Sequence, residues 1–248
     1  MKWREREGIR WLEAELPGAR AAFTARAGGV SAGPFESLNL GLLTGDEGEA
    51  VRTNRHRAAA VLELDPGAVL FARQVHGSEI QKRNRAPAPN PFAEPGSELA
   101  EADGQVTAEA ALAPLVLVAD CLPLALAGPG GVAMLHCGWR GLAAGIVQRG
   151  AEATRATAAA IGPGIGRCCY EVGEEVLGRF APLGDGVASG RMLDLVEVAR
   201  RLLERAGVEA VEASELCTSC EPELFYSHRR DGGETGRQAG LVWRDDLA

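Results

Sequence analysis

The sequence predicts a layered α/β domain, a mixed β-sheet flanked by helices, and three observations carry that expectation. Short continuous apolar runs at 114–118, 133–135 and 158–161 read as strands covered on both faces. Stretches with apolar residues at helical spacing alternate with them, at 51–62, 142–147 and 195–206. Residues able to do chemistry stand at the ends of the apolar runs, not inside them. With 248 residues and no stretch that reads as a linker, the whole chain, 1–248, is expected to be a single domain.

The elements follow in order. An edge strand is expected at 10–16 and a second strand at 20–24, before the loop Arg26-Ala27-Gly28-Gly29-Val30-Ser31. Asp46 can cap a helix carrying Val51, Ala58, Ala59, Val61 and Leu62, which Asp65-Pro66 closes. His56 shares that helix with Arg52, Arg55 and Arg57 and reads as a solvated surface histidine. A strand at 69–75 then delivers His76, with Gly77 allowing the turn. Residues 82–103 contain Pro87, Pro89, Pro91 and Pro95 and no apolar period, so they form an exposed loop, readable equally as a lid or as a plain insertion.

Strand 114–118 runs into Ala119-Asp120-Cys121-Leu122-Pro123, and strand 133–135 runs into His136-Cys137-Gly138-Trp139-Arg140-Gly141. Because successive strand residues point to opposite faces, Asp120 and Cys121 cannot both address one ion if the strand persists, and neither can His136 and Cys137. Cys121 and His136 are the candidate ligands. Asp120 is then expected to orient a ligand imidazole, and Cys137 to be a small buried residue. The helix after Gly141 would place unpaired backbone N–H groups beside the site, where with Arg140 they favour an anion such as phosphate. After strand 158–161, Tyr170 can stack on a base, although a tyrosine at a turn is more commonly packing. Asp194 caps the last helix, which Gly207 ends, and a strand follows at 208–211.

Composition limits the partners. A formal net charge of −8 argues against a general nucleic-acid or membrane-surface binder and points to small molecules. No apolar run is long enough to span a bilayer, and the charged start at 1–7 does not resemble a signal-peptide core, so a cytoplasmic location is expected. The six cysteines are then expected to be thiols or ligands, not disulfides.

His76, Cys121 and His136 supply two imidazoles and one thiolate, a donor set that in catalytic zinc sites leaves the fourth tetrahedral position open. Each taken alone reads as a satisfied core residue, and only the set suggests an ion. A rival signal is Cys217-Thr218-Ser219-Cys220, a half-site that lacks two ligands which only Cys168-Cys169 or His228 could supply. Adjacent cysteines in extended chain cannot both face one pocket, which weakens that reading. A redox pair is disfavoured because the motif does not open a helix after a strand. Arg229, Arg230 and Arg237 form a cluster that is either solvated or lines an anion site.

These blocks resemble the signatures of the laccase-domain family, long labelled multicopper polyphenol oxidases and now generally regarded as purine nucleoside phosphorylases that also deaminate adenosine. The resemblance rests on His76-Gly77, Ala119-Asp120-Cys121-Leu122-Pro123 and His136-Cys137-Gly138-Trp139-Arg140-Gly141. Matching stretches in the same order include 24–31, 37–41, 102–107, 161–163, 170–173 and 229–237. Gly104 and Cys137 depart from the pattern, which more often has Ala at both. The resemblance implies that His76, Cys121 and His136 are zinc ligands and that the Arg26 loop lies at the active site, with Arg26 in contact with an anion or ribose. It also implies purine nucleosides (adenosine, inosine, methylthioadenosine) and phosphate as substrates, with metal-activated water attacking C6 of adenine in the deamination. The older reading, a copper-dependent phenol oxidase, is disfavoured because the chain has four histidines and no H-x-H pair. A non-catalytic metal-binding protein is the remaining alternative.

Overall fold

Strands buried on both faces need cover on two sides, and here one side of each sheet is covered by another sheet. The structure, a computed structural model, describes residues 1–245. Its strands are β1 (Lys2–Arg6), β2 (Ile9–Leu16), β3 (Ala19–Thr24), β4 (Val69–Leu70), β5 (Ile80–Lys82), β6 (Gly104–Thr107), β7 (Ala113–Val118), β8 (Leu122–Gly128), β9 (Gly131–Cys137), β10 (Ala158–Ile161), the short pair β11 (Ala188–Ser189) and β12 (Met192–Leu193), β13 (Ala210–Ala213) and β14 (Gln238–Arg244). The helices are α1 (Gly48–Val61), α2 (Trp139–Ala143), α3 (Ile146–Thr154), α4 (Glu174–Phe180) and α5 (Leu195–Arg205).

Two six-stranded mixed sheets result, in the orders β1-β2-β3-β14-β7-β4 and β13-β10-β8-β9-β6-β5. Strand parity explains how they stack. In β8, Leu122, Leu124 and Leu126 face the helices α3, α4 and α5, while Ala125 and Ala127 face the other sheet. In β7, Leu115 points to the α1 side and Val116 and Val118 point into the layer between the sheets. Small residues on the sheet-facing side, such as Ala14, Ala21, Ala125 and Ala160, let the two sheets approach with Phe23 and Met134 filling the remaining space. The layered α/β fold with mixed pairing is as expected, with the sheet doubled.

Several local expectations are corrected. The strand at 10–16 is not an edge, because β1 pairs outside it. All five residues of β1 are exposed and four are charged, so it carries no apolar alternation to read, as suits an edge that must not recruit another strand. Asp46 does not cap α1, whose N-cap is Glu47; the Asp46 carboxylate instead accepts from Ser31 Oγ at 2.6 Å and Asn39 Nδ2 at 2.9 Å. The sequence concealed β8 because Pro123 reads as a strand terminator. The helix expected after Gly141 is two short ones, beginning at Trp139 and interrupted at Gly145, where φ is +88°. The strand expected at 208–211 begins two residues later, at Ala210. Asp194 does cap α5, accepting from the Glu197 N–H at 3.0 Å.

The expected strand 69–75 stops after Leu70. Beyond it the side chain of Gln74 replaces the ladder, donating to Leu117 O at 2.7 Å and accepting from Leu117 N–H at 2.8 Å. Arg73 meanwhile pairs through its backbone with Ala100 and Ala102. The chain therefore peels off the first sheet towards the segment that enters β6 in the second.

Leu124 is fully buried between β8 and the helix layer. Leu124→Ala is expected to lower unfolding free energy by about 2–5 kcal/mol, measured by urea titration, with the site's metal stoichiometry retained.

Candidate metal centre

The seam between the two sheets is where the expected ligands meet. Met134 in β9 faces the inter-sheet layer, so His136, two residues on, emerges at the end of that layer while Cys137 turns into the helix-side core. Cys121 lies between β7 and β8, where the chain crosses from one sheet to the other. His76 comes from the turn after Gln74 and stands at no strand end. The ligand atoms of His76, Cys121 and His136 all lie within 4.8 Å of one another, and the two imidazole centroids are 4.8 Å apart.

The residue that assembles them is Asp103. Its buried carboxylate accepts from the backbone N–H groups of His76 at 2.9 Å and Gly77 at 2.6 Å, from Val75 N–H at 3.2 Å, and from His136 Nδ1 at 2.8 Å. His76 has φ +61°, a left-handed conformation rare for a residue with a side chain, and these amide contacts hold it there. A carboxylate can only accept, so the proton sits on Nδ1 of His136 and Nε2 is left for an ion. Sequence reasoning gave this role to Asp120. Asp120 has φ +93°, so the strand does not persist to it, and its two oxygens accept from Thr218 Oγ1 and the Arg229 N–H, each at 2.7 Å. The available signal was Asp103 at the threshold of a strand in a block similar to the family's.

Two glycines make room. A Cβ at Gly138 would stand 2.9 Å from Cys121 Sγ, and one at Gly141 would stand 2.8 Å from Gly77 O. Either side chain would push the ligands apart.

Cys121 and His136 hold each other in their charged forms, so an ion takes the place of the His136 proton beside the thiolate. Burial pushes the Cys121 thiol up, but the facing His136 and His76 outweigh it and bring the thiol down to about 6. Burial lowers His136, yet the Cys121 sulfur and Asp103 outweigh it and raise the imidazole to about 9. Burial likewise raises Asp103, and His136 with the Gly77 and Val75 amides brings it below its usual value. Two imidazole nitrogens and a thiolate, one imidazole already oriented by a carboxylate, fit a borderline-soft divalent ion with one position left open.

The ligands line a cavity of about 650 Å³. Arg140, Arg229, Arg237 and Tyr170 line it too, as expected or allowed for from the sequence. Among the described residues the Arg140 guanidinium has no hydrogen-bonding acceptor; it lies over the Trp139 ring at 4.4 Å. Arg237 donates to Thr235 O and Gly236 O, and Arg229 donates to Glu171 O and lies 5.2 Å from the Tyr170 ring centre. Burial and the nearby Cys121 raise the Tyr170 phenol to about 12, so it stays a hydrogen-bond donor. Pro91, Ser97 and Leu99 of the proline-rich loop form part of the wall.

Arg26 is placed elsewhere. Its guanidinium donates to Pro222 O and Glu36 O, lies 4.6 Å from the Tyr226 ring centre, and is not among the cavity-lining residues. Arg230 is paired with Asp231 at 2.7 Å. With α2 only five residues long, little helix dipole is available, and the positive charge at this wall comes from the arginines. His56 lies on α1, with Nε2 3.4 Å from Ala93 O and no part in the metal centre.

The family model described as multi-copper polyphenol oxidoreductase laccase matches residues 20–245. The chain belongs to this family. It is 37% identical to "Purine nucleoside phosphorylase YlmD" of Geobacillus stearothermophilus over 97% of this chain and 96% of that one. It is 35% identical to "Purine nucleoside phosphorylase YfiH" of Escherichia coli over 91% and 94% of the two chains. Among solved structures, YfiH of Bacillus licheniformis, titled a hypothetical protein, superposes with a TM-score of 0.87 at 32% identity, covering 98% of this chain and 99% of that one. YlmD of Geobacillus stearothermophilus superposes equally, at 0.87 and 37% identity over 98% of each chain. No described helix is long and apolar enough to cross a membrane.

Two measurements probe the centre. An ion needs His136 neutral and Cys121 ionised, so with the imidazole raised to about 9 and the thiol lowered to about 6, zinc uptake at pH 7.5 should release about one proton. Zinc affinity should therefore rise with pH until about 9 and fall as His136 is protonated below it, measured by calorimetry in buffers of different ionisation enthalpy. Asp103→Asn should weaken zinc binding at this centre by about 10- to 100-fold, read by competition with a chelator.

Proposed function

We propose that this protein is a zinc-dependent purine nucleoside phosphorylase that also deaminates adenosine, with His76, Cys121 and His136 as the metal ligands. The observation that carries the reading is one cavity that joins an open His-Cys-His centre to an uncommitted arginine, Arg140, and an apolar wall that includes Phe71, Leu117 and Ile165. The names of the relatives give its reaction class. When bound, zinc supplies Lewis acidity and an open coordination position at the cavity floor.

The chain's own residues divide the remaining work. Asp103 fixes the His136 tautomer and the His76 turn, so the ligands are preorganised before substrate arrives. Phosphorolysis needs phosphate held against the ribose C1′ as the base departs. Arg140 supplies the forked donor for that anion, with Arg229 and Arg237 adding positive charge to the wall. Tyr170 offers its phenol proton to the nucleoside, and the apolar wall covers the purine. Arg26 is held by Pro222 O and Glu36 O outside the cavity lining, so the phosphate and ribose contacts are assigned to other residues. The site opens to solvent beside His76, which is exposed while His136 is buried.

Purified protein given inosine should release hypoxanthine and ribose 1-phosphate only when phosphate is present. Given adenosine, it should form inosine with or without phosphate. Undiminished base release from inosine in phosphate-free buffer would replace phosphorolysis by hydrolysis and remove phosphate from Arg140. Arg140→Ala should raise the KM for phosphate by about 10- to 100-fold, the loss of a charge-assisted hydrogen bond, while leaving deamination little changed. The family's description as a multi-copper polyphenol oxidoreductase favours one other reading, copper-dependent phenol oxidation. Phenol turnover by the copper form with no nucleoside turnover by the zinc form would establish that instead.

A further inference from the structure

A second convergence of metal-ligating side chains lies outside the cavity lining. Cys168 and Cys169 sit in a turn where the Cys169 N–H donates to Gly166 O at 3.0 Å, so they are not in extended chain and both sulfurs reach one side. This corrects the argument that adjacent cysteines could not share a pocket. Cys217 and Cys220 form the facing turn, in which the N–H groups of Cys220 and Glu221 both donate to Cys217 O at 3.1 Å. The two turns are joined by the Thr218 N–H donating to Gly164 O at 2.9 Å. His228, the other candidate, is not part of the group.

All four sulfurs lie within 4.8 Å of one another, with Cys168 to Cys220 at 3.5 Å and Cys169 to Cys220 at 3.4 Å. A tetrahedron with metal–sulfur bonds of about 2.3 Å has sulfur–sulfur edges of about 3.8 Å, so the thiols stand near the separations a single ion requires. A multi-iron cluster interposes its own sulfides and holds its thiolates farther apart. The Gly166 N–H donates to Cys217 Sγ at 3.1 Å, a contact that stabilises a thiolate. A Cβ at Gly166 would stand 3.1 Å from Cys217 Cβ and 3.2 Å from Cys168 Sγ, so the missing side chain leaves the space to the sulfurs.

We propose that Cys168, Cys169, Cys217 and Cys220 form a second metal site, a tetrathiolate centre for zinc or another thiophilic divalent ion. With four protein sulfurs it has no open position, so its role is structural. It ties the segment carrying Tyr170 to the segment carrying Thr218, whose hydroxyl donates to Asp120 beside Cys121. The ion braces one wall of the cavity without touching substrate. This site does not depend on which reaction the cavity performs.

Metal content after equilibration with zinc and removal of the free ion tests it. The wild type should hold about two zinc ions per chain, Cys121→Ser about one, and Cys217→Ser/Cys220→Ser about one. Zinc K-edge absorption of Cys121→Ser should show a first shell of sulfur only. If the double variant fails to fold, the wild type still decides. Zinc should protect all four cysteines from iodoacetamide, exposed Cys168 and Cys220 included. Equal alkylation with and without zinc, a first shell containing nitrogen in Cys121→Ser, or a disulfide among the four in freshly purified protein would each overturn the proposal.

Discussion

One buried carboxylate holds the candidate site together. Asp103 satisfies three consecutive backbone N–H groups at the His76 turn and the imidazole of His136, and so ties a segment leaving the first sheet to a strand of the second. A buried carboxylate is costly unless fully hydrogen-bonded, and breaking such a constellation from one side costs about 3–5 kcal/mol because the rest is left unpaired. That penalty makes the arrangement close to all-or-none. It holds His76 at positive φ, an otherwise unfavourable backbone, and presents both imidazoles together before any ion arrives.

The doubled sheet determines where that constellation can be. At 119–121 the chain crosses between sheets, at 70–76 it peels away from the first, and at His136 the inter-sheet layer ends. Three departures from regular pairing therefore open onto one seam. Small alanines keep the sheets close along most of the interface, and beyond its end the layer opens into the cavity. Ligands borne on such a frame are positioned by the stiffest part of the molecule.

Electrostatics gives the cavity a sign opposite to the whole protein. The chain carries a net charge of −8, yet five arginines line the cavity wall: Arg55, Arg73, Arg140, Arg229 and Arg237. Arg55, Arg229 and Arg237 are tied to backbone carbonyls and Arg73 pairs with Glu101, so Arg140 alone has its guanidinium uncommitted among the described residues. An acidic surface with a local basic wall discourages polyanions such as nucleic acids while still accepting a small anion that can enter the cavity. The imidazole and thiolate donors at its floor suit zinc as well as the copper for which the family is described, so donor chemistry alone does not choose the reaction. The arginines favour phosphate chemistry.

The sequence by itself determined the class of fold and singled out the three side chains that converge at the cavity floor. Apolar runs report burial on both faces wherever they occur, and His, Cys and His ending or following such runs are legible without coordinates. Strand parity also separated His136 from Cys137 correctly, because β9 stays regular to its end. Tertiary structure decided what local pattern cannot carry. Asp120 and Asp103 look alike in sequence, and only the crossover at φ +93° turns one towards Thr218 and Arg229 while the other reaches His76 and His136. Arg26 opens a glycine-rich loop, yet the carbonyls of Pro222 and Glu36 capture its guanidinium. Cys168 and Cys169 are separated from Cys217 and Cys220 by about fifty residues of chain, and their convergence depends on two turns meeting beside Gly164. In each case the deciding partner is distant in sequence, and a hydrogen bond or a shared ion leaves no periodicity by which to predict it.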